Sequence, residues 1–255
     1  IFKPGAGNSI RNEVINDLEE DSRGRIWVAT MEGVSIYDPA SNHWEYILPN
    51  PDSITLSIPN PIVWNIEIDK QDIAWIVCDV FDLTAYDISN HQFKFYHWKK
   101  FSNEDPYISA VAYHSIQRIV KANDREYWLA TTRGLVKLDI VTGNFRFLGG
   151  GYNGDITDLQ YDPESGKVFL ANEKNQLYCF DEKASQYGAV PIVREAYPSS
   201  RFDNNDEEER WLASRSGLLK LRNNRSDALL EAFIPQLSGA QLPGIVNRIY
   251  TDKLR

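Results

Sequence analysis

Carboxylates are the most abundant side chains in this sequence that could perform chemistry. The chain holds 36 Asp and Glu residues against 27 Lys and Arg, which gives a formal net charge of −9 at pH 7. A glycoside hydrolase needs one acid and one base placed asymmetrically across its substrate. Four Asp residues instead recur at equivalent turns, where a carboxylate can accept hydrogen bonds from backbone N–H groups: Asp21, Asp69, Asp162 and Asp252. This repetition favours a scaffold role, and no catalytic pair is predicted.

The other reactive side chains indicate neither a metal site nor a phosphate site. Zinc-ligand spacing is absent among the four histidines, His43, His91, His97 and His114. The three glycines at 149–151 are not followed by the Lys and Ser or Thr of a phosphate-binding loop. We therefore expect no metal and no cofactor.

A repeated strand–turn–strand pattern positions these residues. It is clearest at 25–38, where an apolar β-branched run, a Gly and an alternating run follow one another. The pattern returns four times around aromatic anchors that lie 48, 53, 41 and 42 residues apart: Trp27, Trp75, Trp128, Phe169 and Trp211. Large aromatic side chains at these positions are expected to be buried between neighbouring units.

The period predicts an all-β fold, a β-propeller of four-stranded antiparallel blades. The five complete repeats are expected at about 12–53, 60–101, 114–150, 154–193 and 198–236, and 245–255 begins a further blade. Half-units at both ends indicate a piece of a larger propeller. Closure as a five- or six-bladed ring, with the two ends sharing a blade, is the alternative. The cysteines, Cys78 and Cys179, fall two units apart and are expected to be unpaired thiols.

Composition excludes further classes of protein. No apolar run approaches the roughly 18 residues of a membrane-spanning helix. The first residues are neither an initiator Met nor a signal peptide. No cluster of Lys and Arg offsets the acidic charge, which argues against nucleic acid as a partner.

The repeat resembles the two-component regulator propeller repeat. The residues that carry the likeness are Asp21, then Gly-Arg-Ile-Trp-Val-Ala-Thr at 24–30 and Gly-Val-Ser-Ile-Tyr-Asp at 33–38. In that family, paired seven-bladed propellers in the extracytoplasmic region of hybrid two-component systems precede a membrane helix and a histidine kinase. The resemblance implies a non-enzymatic, periplasmic module that senses an oligosaccharide. It also implies, as partners, the remaining blades and output domains of the same chain and a second copy in a homodimer.

Residues that break the repeat on one rim are the candidate ligand-binding residues. Trp64 stands where other units have polar residues, and Phe81 stands where they have Gly. Sugar binding combines aromatic faces with polar groups that bond hydroxyls. Charged and amide side chains expected on the same rim complete the set: Asp79, Arg118, Arg133, Asn172 and Arg215.

Two other functions stay open at this point. A protein-interaction scaffold would show a broad apolar surface on the top face without a cleft. A propeller lyase or hydrolase would show a funnel that holds two carboxylates or a Tyr–Arg–His set.

Overall fold

Four consecutive antiparallel strands form each β-sheet of the chain. The computed structural model describes residues 5, 7–50, 52, 56–79, 82–97, 116–148, 154–172 and 176–189, together with the backbone of strands at 198–203, 210–214, 217–223 and 228–233. The first sheet consists of β1 (Ile15–Glu20), β2 (Ile26–Thr30), β3 (Gly33–Asp38) and β4 (His43–Ile47). The second consists of β5 (Val63–Ile68), β6 (Ile73–Cys78), β7 (Asp82–Asp87) and β8 (Gln92–His97).

The later sheets repeat this meander. The third consists of β9 (Ile116–Lys121), β10 (Glu126–Thr131), β11 (Gly134–Asp139) and β12 (Asn144–Phe147). The fourth consists of β13 (Ile156–Asp162), β14 (Lys167–Asn172), β15 (Leu177–Asp181) and β16 (Gln186–Ala189). The fifth consists of β17 (Pro198–Asp203), β18 (Arg210–Ser214), β19 (Gly217–Asn223) and β20 (Ala228–Phe233).

The first strands of successive sheets contact one another in turn, from β1 through β5, β9 and β13 to β17. The sheets are therefore blades arranged about an axis that their first strands line. The predicted fold class, an all-β propeller of four-stranded antiparallel blades, is confirmed. The further blade predicted at 245–255 lies outside the described residues.

Aromatic anchors on the second strands fill the spaces between blades. The side chains of Trp27, Trp75, Trp128 and Phe169 are at most 2% exposed. The ring of Trp27 lies 6.0 Å from that of Tyr86 in the next blade, and the ring of Trp75 lies 4.4 Å from that of Tyr127. Trp27 and Trp75 thus each join two blades through aromatic contact, and such contact between neighbours stabilises a repeat fold. Trp211 stands at the matching position of β18.

The Asp at the end of each of the first two inner strands closes the turn that follows. Asp21 Oδ1 accepts the backbone N–H groups of Arg23 and Arg25, both at 3.0 Å. Asp69 Oδ1 accepts the corresponding N–H groups of Gln71 and Ile73 at 2.9 and 3.0 Å. The predicted turn role of these two residues is confirmed, and Asp252 lies outside the described residues.

The same carboxylates also bind the anchors, which the sequence did not predict. Asp21 Oδ2 accepts the indole N–H of Trp27 at 2.9 Å, and Asp69 Oδ2 accepts that of Trp75 at 3.2 Å. The turn and the inter-blade contact are therefore fixed by one side chain.

The two cysteines lie in different blades, Cys78 on β6 and Cys179 on β15, and form no disulfide, as predicted. Burial raises the pKa of the Cys179 thiol to about 11. Within the described residues, no helix is long and apolar enough to cross a membrane.

Candidate functional site

An extra residue interrupts the pairing of the first strand with the second strand in each of the first four blades. In the first blade, Ile15 pairs with Thr30 and Asp17 pairs with Ala29, so that Asn16 is the extra residue. The extra residue is Trp64 in β5, Gln117 in β9 and Thr157 in β13. A β-bulge of this kind bends a strand and re-aims its side chains. The bulge separates the extra residue, which lies on the rim, from the following residues of the strand, which lie along the axis.

Trp64 forms the aromatic part of the rim. Its side chain is 41% exposed, and its indole N–H donates to Asp79 Oδ1 at 3.3 Å. The Asp79 backbone N–H donates to the carbonyl of Ile62 at 2.8 Å, which holds the loop after β6 against the start of β5. The result is an exposed ring whose edge is fixed beside a carboxylate.

The neighbouring blade extends this rim. The Asn16 amide donates to the carbonyl of Val63 at 2.8 Å, so the bulges of the first two blades are adjacent. Two exposed apolar side chains, Val14 at 48% and Ile15 at 51%, precede Asn16. An indole, aliphatic groups, an amide and a carboxylate therefore share one edge of the first two blades.

A second group of polar side chains lies along the axis, and we call it the axial cluster: Asp17, Glu19, Asn65, Glu67, Arg118 and Asp158. Arg118 Nη1 lies 2.9 Å from Glu67 Oε2 and 3.9 Å from Glu19 Oε1, and Arg118 Nε lies 3.5 Å from Asp158 Oδ1. The Asn65 amide donates to Asp17 Oδ2 at 2.7 Å. Four blades thus contribute side chains to one cluster.

Burial and like charge control ionisation in the axial cluster. Burial raises the pKa of Glu67 to about 8; Arg118 opposes this shift, and the carboxylates of Glu19, Asp17 and Asp158 add to it. Burial alone would lower the pKa of Arg118, but the four carboxylates around it raise that pKa above its ordinary value. The Arg118 guanidinium therefore stays charged, and burial favours the neutral form of the Glu67 carboxyl.

The described part of the cluster is rich in hydrogen-bond acceptors, since the carboxylates of Asp17, Glu19, Glu67 and Asp158 surround the Arg118 guanidinium. Among the described residues, no group of three His, Cys, Asp or Glu side chains is placed to hold a metal ion.

The structure unites some of the predicted binding residues and separates others. Trp64 and Asp79 lie together on the rim, whereas the Arg118 side chain joins the axial cluster. Asn172 uses its amide within its own hairpin, since its Oδ1 accepts the Gln176 backbone N–H at 2.8 Å and its Nδ2 donates to Gln176 Oε1 at 3.0 Å. Arg133 is exposed in the turn after β10. Phe81 and Arg215 lie outside the described residues.

Sequence reasoning missed most of the axial cluster. A signal was present, because Asp17, Asn65 and Arg118 each precede the anchor of their blade by ten residues. Aligning the repeats on their anchors would have placed these three residues at one level of the axis. The charge of the residue ten positions before the anchor varies from blade to blade, and this variation marks the axial cluster.

These features define a β-propeller assembled from short repeats, with an aromatic rim and a charged axis. The profile of the two component regulator propeller family matches residues 9–32, which include β1 and β2. The first blade is therefore similar to a two component regulator propeller repeat, as the sequence predicts. No curated protein sequence matches the chain significantly.

Solved structures share the fold over most of the chain. The extracellular domain assigned to the hybrid two component system BT3049 of B. thetaiotaomicron is 18% identical, with a TM-score of 0.67 over 89% of this chain and 31% of that one. The extracellular domain assigned to the hybrid two component system BT4673 of the same organism is 14% identical, with a TM-score of 0.55 over 98% and 36% of the two chains.

A third similar structure has a different role. PorZ, a surface component of the type-IX secretion system of Porphyromonas gingivalis, is 11% identical, with a TM-score of 0.62 over 88% of this chain and 29% of that one. At such identities the likeness shows the fold alone. The chain spans about a third of the length of each of these proteins.

Proposed function

We propose that this chain is the ligand-sensing propeller of the extracytoplasmic, periplasmic part of a two-component signalling protein, and that it recognises an oligosaccharide. The observation that carries the proposal is the exposed ring of Trp64, held beside Asp79 on the rim of a blade that neighbours the matched repeat. Sugar sites in proteins pair an aromatic face, which covers the apolar side of the sugar ring, with acceptors for its hydroxyls.

We further propose that the propeller relays ligand binding to a kinase outside these residues. Propeller blades are rigid and joined by buried aromatic contacts, so a ligand that bridges rim loops would change the arrangement of blades rather than unfold one. The remaining blades, the output domains and a second copy of the protein are the proposed partners. We assign no turnover to the propeller.

Calorimetric titration of an oligosaccharide panel against the complete extracytoplasmic region tests this function. Trp64→Ala should weaken binding by about tenfold, since it removes the stacking face. Trp64→Phe keeps a ring but loses the indole N–H to Asp79, and should retain most of the affinity. Val141→Ala is the matched control, because Val141 is 71% exposed and lies in the turn between β11 and β12, at the opposite end of the strands. Absence of binding across the panel, or equal binding by Trp64→Ala, would contradict the proposal.

A protein-interaction scaffold is the second candidate, and one observation favours it. Val14, Ile15 and Trp64 together expose apolar surface on one rim, as a protein-docking edge does. The likeness to PorZ shows that this fold also occurs in a secretion component. Loss of a protein partner with Ile15→Asp, while Trp64→Ala leaves that partner bound, would favour the scaffold over the sensor.

A further inference from the structure

The polar groups beside Trp64 direct their N–H donors into the protein. Asn16 Nδ2 donates to the carbonyl of Val63 at 2.8 Å and to Met31 Sδ at 3.6 Å, so both of its N–H groups have acceptors. The single indole N–H of Trp64 donates to Asp79 Oδ1 at 3.3 Å. These donors are therefore engaged before any ligand arrives.

The oxygens of the same side chains are the groups left for a ligand. Because two acceptors fix the Asn16 nitrogen, the orientation of its Oδ1 is fixed as well. Neither Asn16 Oδ1 nor Asp79 Oδ2 accepts a hydrogen bond from another residue that the structure describes. A carboxylate has no donor of its own. The polar edge of this site thus consists of acceptors.

The turn after β2 continues the pattern on the first blade. The Asn12 amide donates to Glu32 Oε1 at 3.2 Å. The backbone N–H of Glu32 donates to Thr30 Oγ1 at 3.0 Å, and that of Gly33 donates to the carbonyl of Pro61 at 2.6 Å. These N–H groups bond within the protein, whereas the Glu32 carboxylate adds acceptors to the rim.

Hydrogen-bond inventory then separates two classes of sugar. A hydroxyl both donates and accepts, so an unmodified sugar can donate to Asn16 Oδ1 and to the Asp79 carboxylate. A carboxylate or sulfate group on the sugar only accepts. Placed against these two residues it would lose water without gaining a donor, which weakens binding. Because Asn16 is neutral, this selection does not depend on the net charge of the rim.

We propose that the rim at Trp64 binds neutral oligosaccharides and rejects those that carry carboxylate or sulfate groups. This inference rests on the proposed sugar-sensing function and names the class of sugar. The Trp64 ring covers the apolar face of one sugar unit. Asn16 Oδ1 and the Asp79 carboxylate accept hydroxyl groups at the edge of that unit.

Paired trimers that differ only at one carbon of each unit test the selection. The pairs are cellotriose and the trimer of glucuronic acid, mannotriose and the trimer of mannuronic acid, and galactotriose and trigalacturonic acid. Calorimetry on the complete extracytoplasmic region should show, in at least one pair, a neutral trimer that binds about tenfold or more tightly than its acidic counterpart. This comparison uses the wild type and needs no variant.

Asp79→Asn tests whether the acceptors cause the preference. The new amide keeps an oxygen for the indole N–H and offers an N–H donor to the ligand. The ratio of neutral to acidic affinity should therefore fall by about threefold or more. Asp124→Asn is the matched control, because it makes the same change on a fully exposed side chain in the turn between β9 and β10, at the opposite end of the strands.

The outcomes separate this inference from the function on which it rests. If no trimer of either kind binds, sugar sensing fails and the selection fails with it. If the acidic trimers bind as tightly as the neutral ones or more tightly, sugar sensing stands and the selection is overturned. An unchanged ratio in Asp79→Asn, or an equal change in Asp124→Asn, would also overturn it.

Discussion

An aspartate at position 122 would give the buried indole of Trp128 the hydrogen-bond partner that it lacks. Asp21 and Asp69 each stand six residues before their anchor and accept its indole N–H. Ala122 holds this place in the third blade, and Trp128 Nε1 is without a partner among the described residues although the side chain is fully buried.

The backbone at Ala122 is already suited to the change. The Ala122 N–H donates to the carbonyl of Glu126 at 2.9 Å, as the Asp21 N–H donates to that of Arg25 at 3.1 Å. The turn itself needs no new cap, because Asn123 Oδ1 accepts the N–H groups of Arg125 and Glu126, both at 2.9 Å. The new carboxylate would therefore add one bond, the charge-assisted one to the indole.

The expected gain follows from that single bond. A hydrogen bond to a charged group contributes about 1.5–3 kcal/mol, and desolvation of the new carboxylate offsets part of it. The ammonium of Lys137, 4.8 Å from the centre of the Trp128 ring, reduces the electrostatic part of that cost. Ala122→Asp should therefore raise the free energy of unfolding by about 1–2 kcal/mol at pH 7.

A double-mutant cycle isolates the bond. Trp128→Phe keeps a ring but has no N–H. Ala122→Asp should therefore raise the free energy of unfolding by about 1–2 kcal/mol in the protein that keeps Trp128, and by nothing in the Trp128→Phe variant. Urea unfolding followed by far-UV circular dichroism measures all four proteins without depending on indole fluorescence. The same gain in both backgrounds, or a loss in the Trp128 background, would refute the reasoning.

Two further predictions concern the first and second blades. Gly33→Ala should lower the free energy of unfolding by about 3 kcal/mol, since Gly33 has φ +88° and an added Cβ would lie 2.5 Å from the carbonyl oxygen of Ile47. Gly188→Ala, where an added Cβ meets nothing within 4 Å, should change stability little, and equal losses in chemical denaturation would contradict this account. Glu67→Gln should flatten the pH profile of the melting temperature. The folded pKa of about 8 exceeds the ordinary 4.5, so protonation of Glu67 stabilises the wild type fully below about pH 4.5, and this contribution is lost as the pH rises through 8. Parallel profiles for wild type and variant between pH 4.5 and 9 would refute it.

Strand order could be predicted because each repeat contains its own local signals. A β-branched run, a Gly and an alternating run specify a hairpin, and five such units specify the meander without long-range information. Gly24 adopts φ +76°, as its place in the turn predicts. The second unit lacks this Gly, and Asp72 takes the left-handed conformation instead, with φ 56°. Asp tolerates that region better than most residues, so the turn survives the substitution.

The candidate site could be predicted only in part, and the bulges explain why. Trp64 was recognised because an aromatic residue replaces polar ones, and its exposure depends only on its place at the strand start. The sequence predicts Arg118 on the rim beside Trp64. One extra residue, Gln117, moves Arg118 to the axis, since a shift of one residue exchanges the two faces of a strand. The contacts of Arg118 with Glu19 and Asp158 also join residues from three blades, which no local pattern contains.

The bulges also show how blades with a common core can carry different sites. In the first four blades the residue after the bulge is Asp17, Asn65, Arg118 or Asp158. Its cross-strand partner in these blades is small or β-branched and buried: Ala29, Val77, Ala130 and Ala171. Cohesion between blades rests on the anchors, which lie on the second strand and pack away from the axis. Charge at the post-bulge position can therefore change sign from blade to blade while the aromatic contacts stay in place. The residue at this position faces the axis, so it can vary without repacking the blades. The axial cluster therefore has a different side chain in each blade, although the blades themselves repeat.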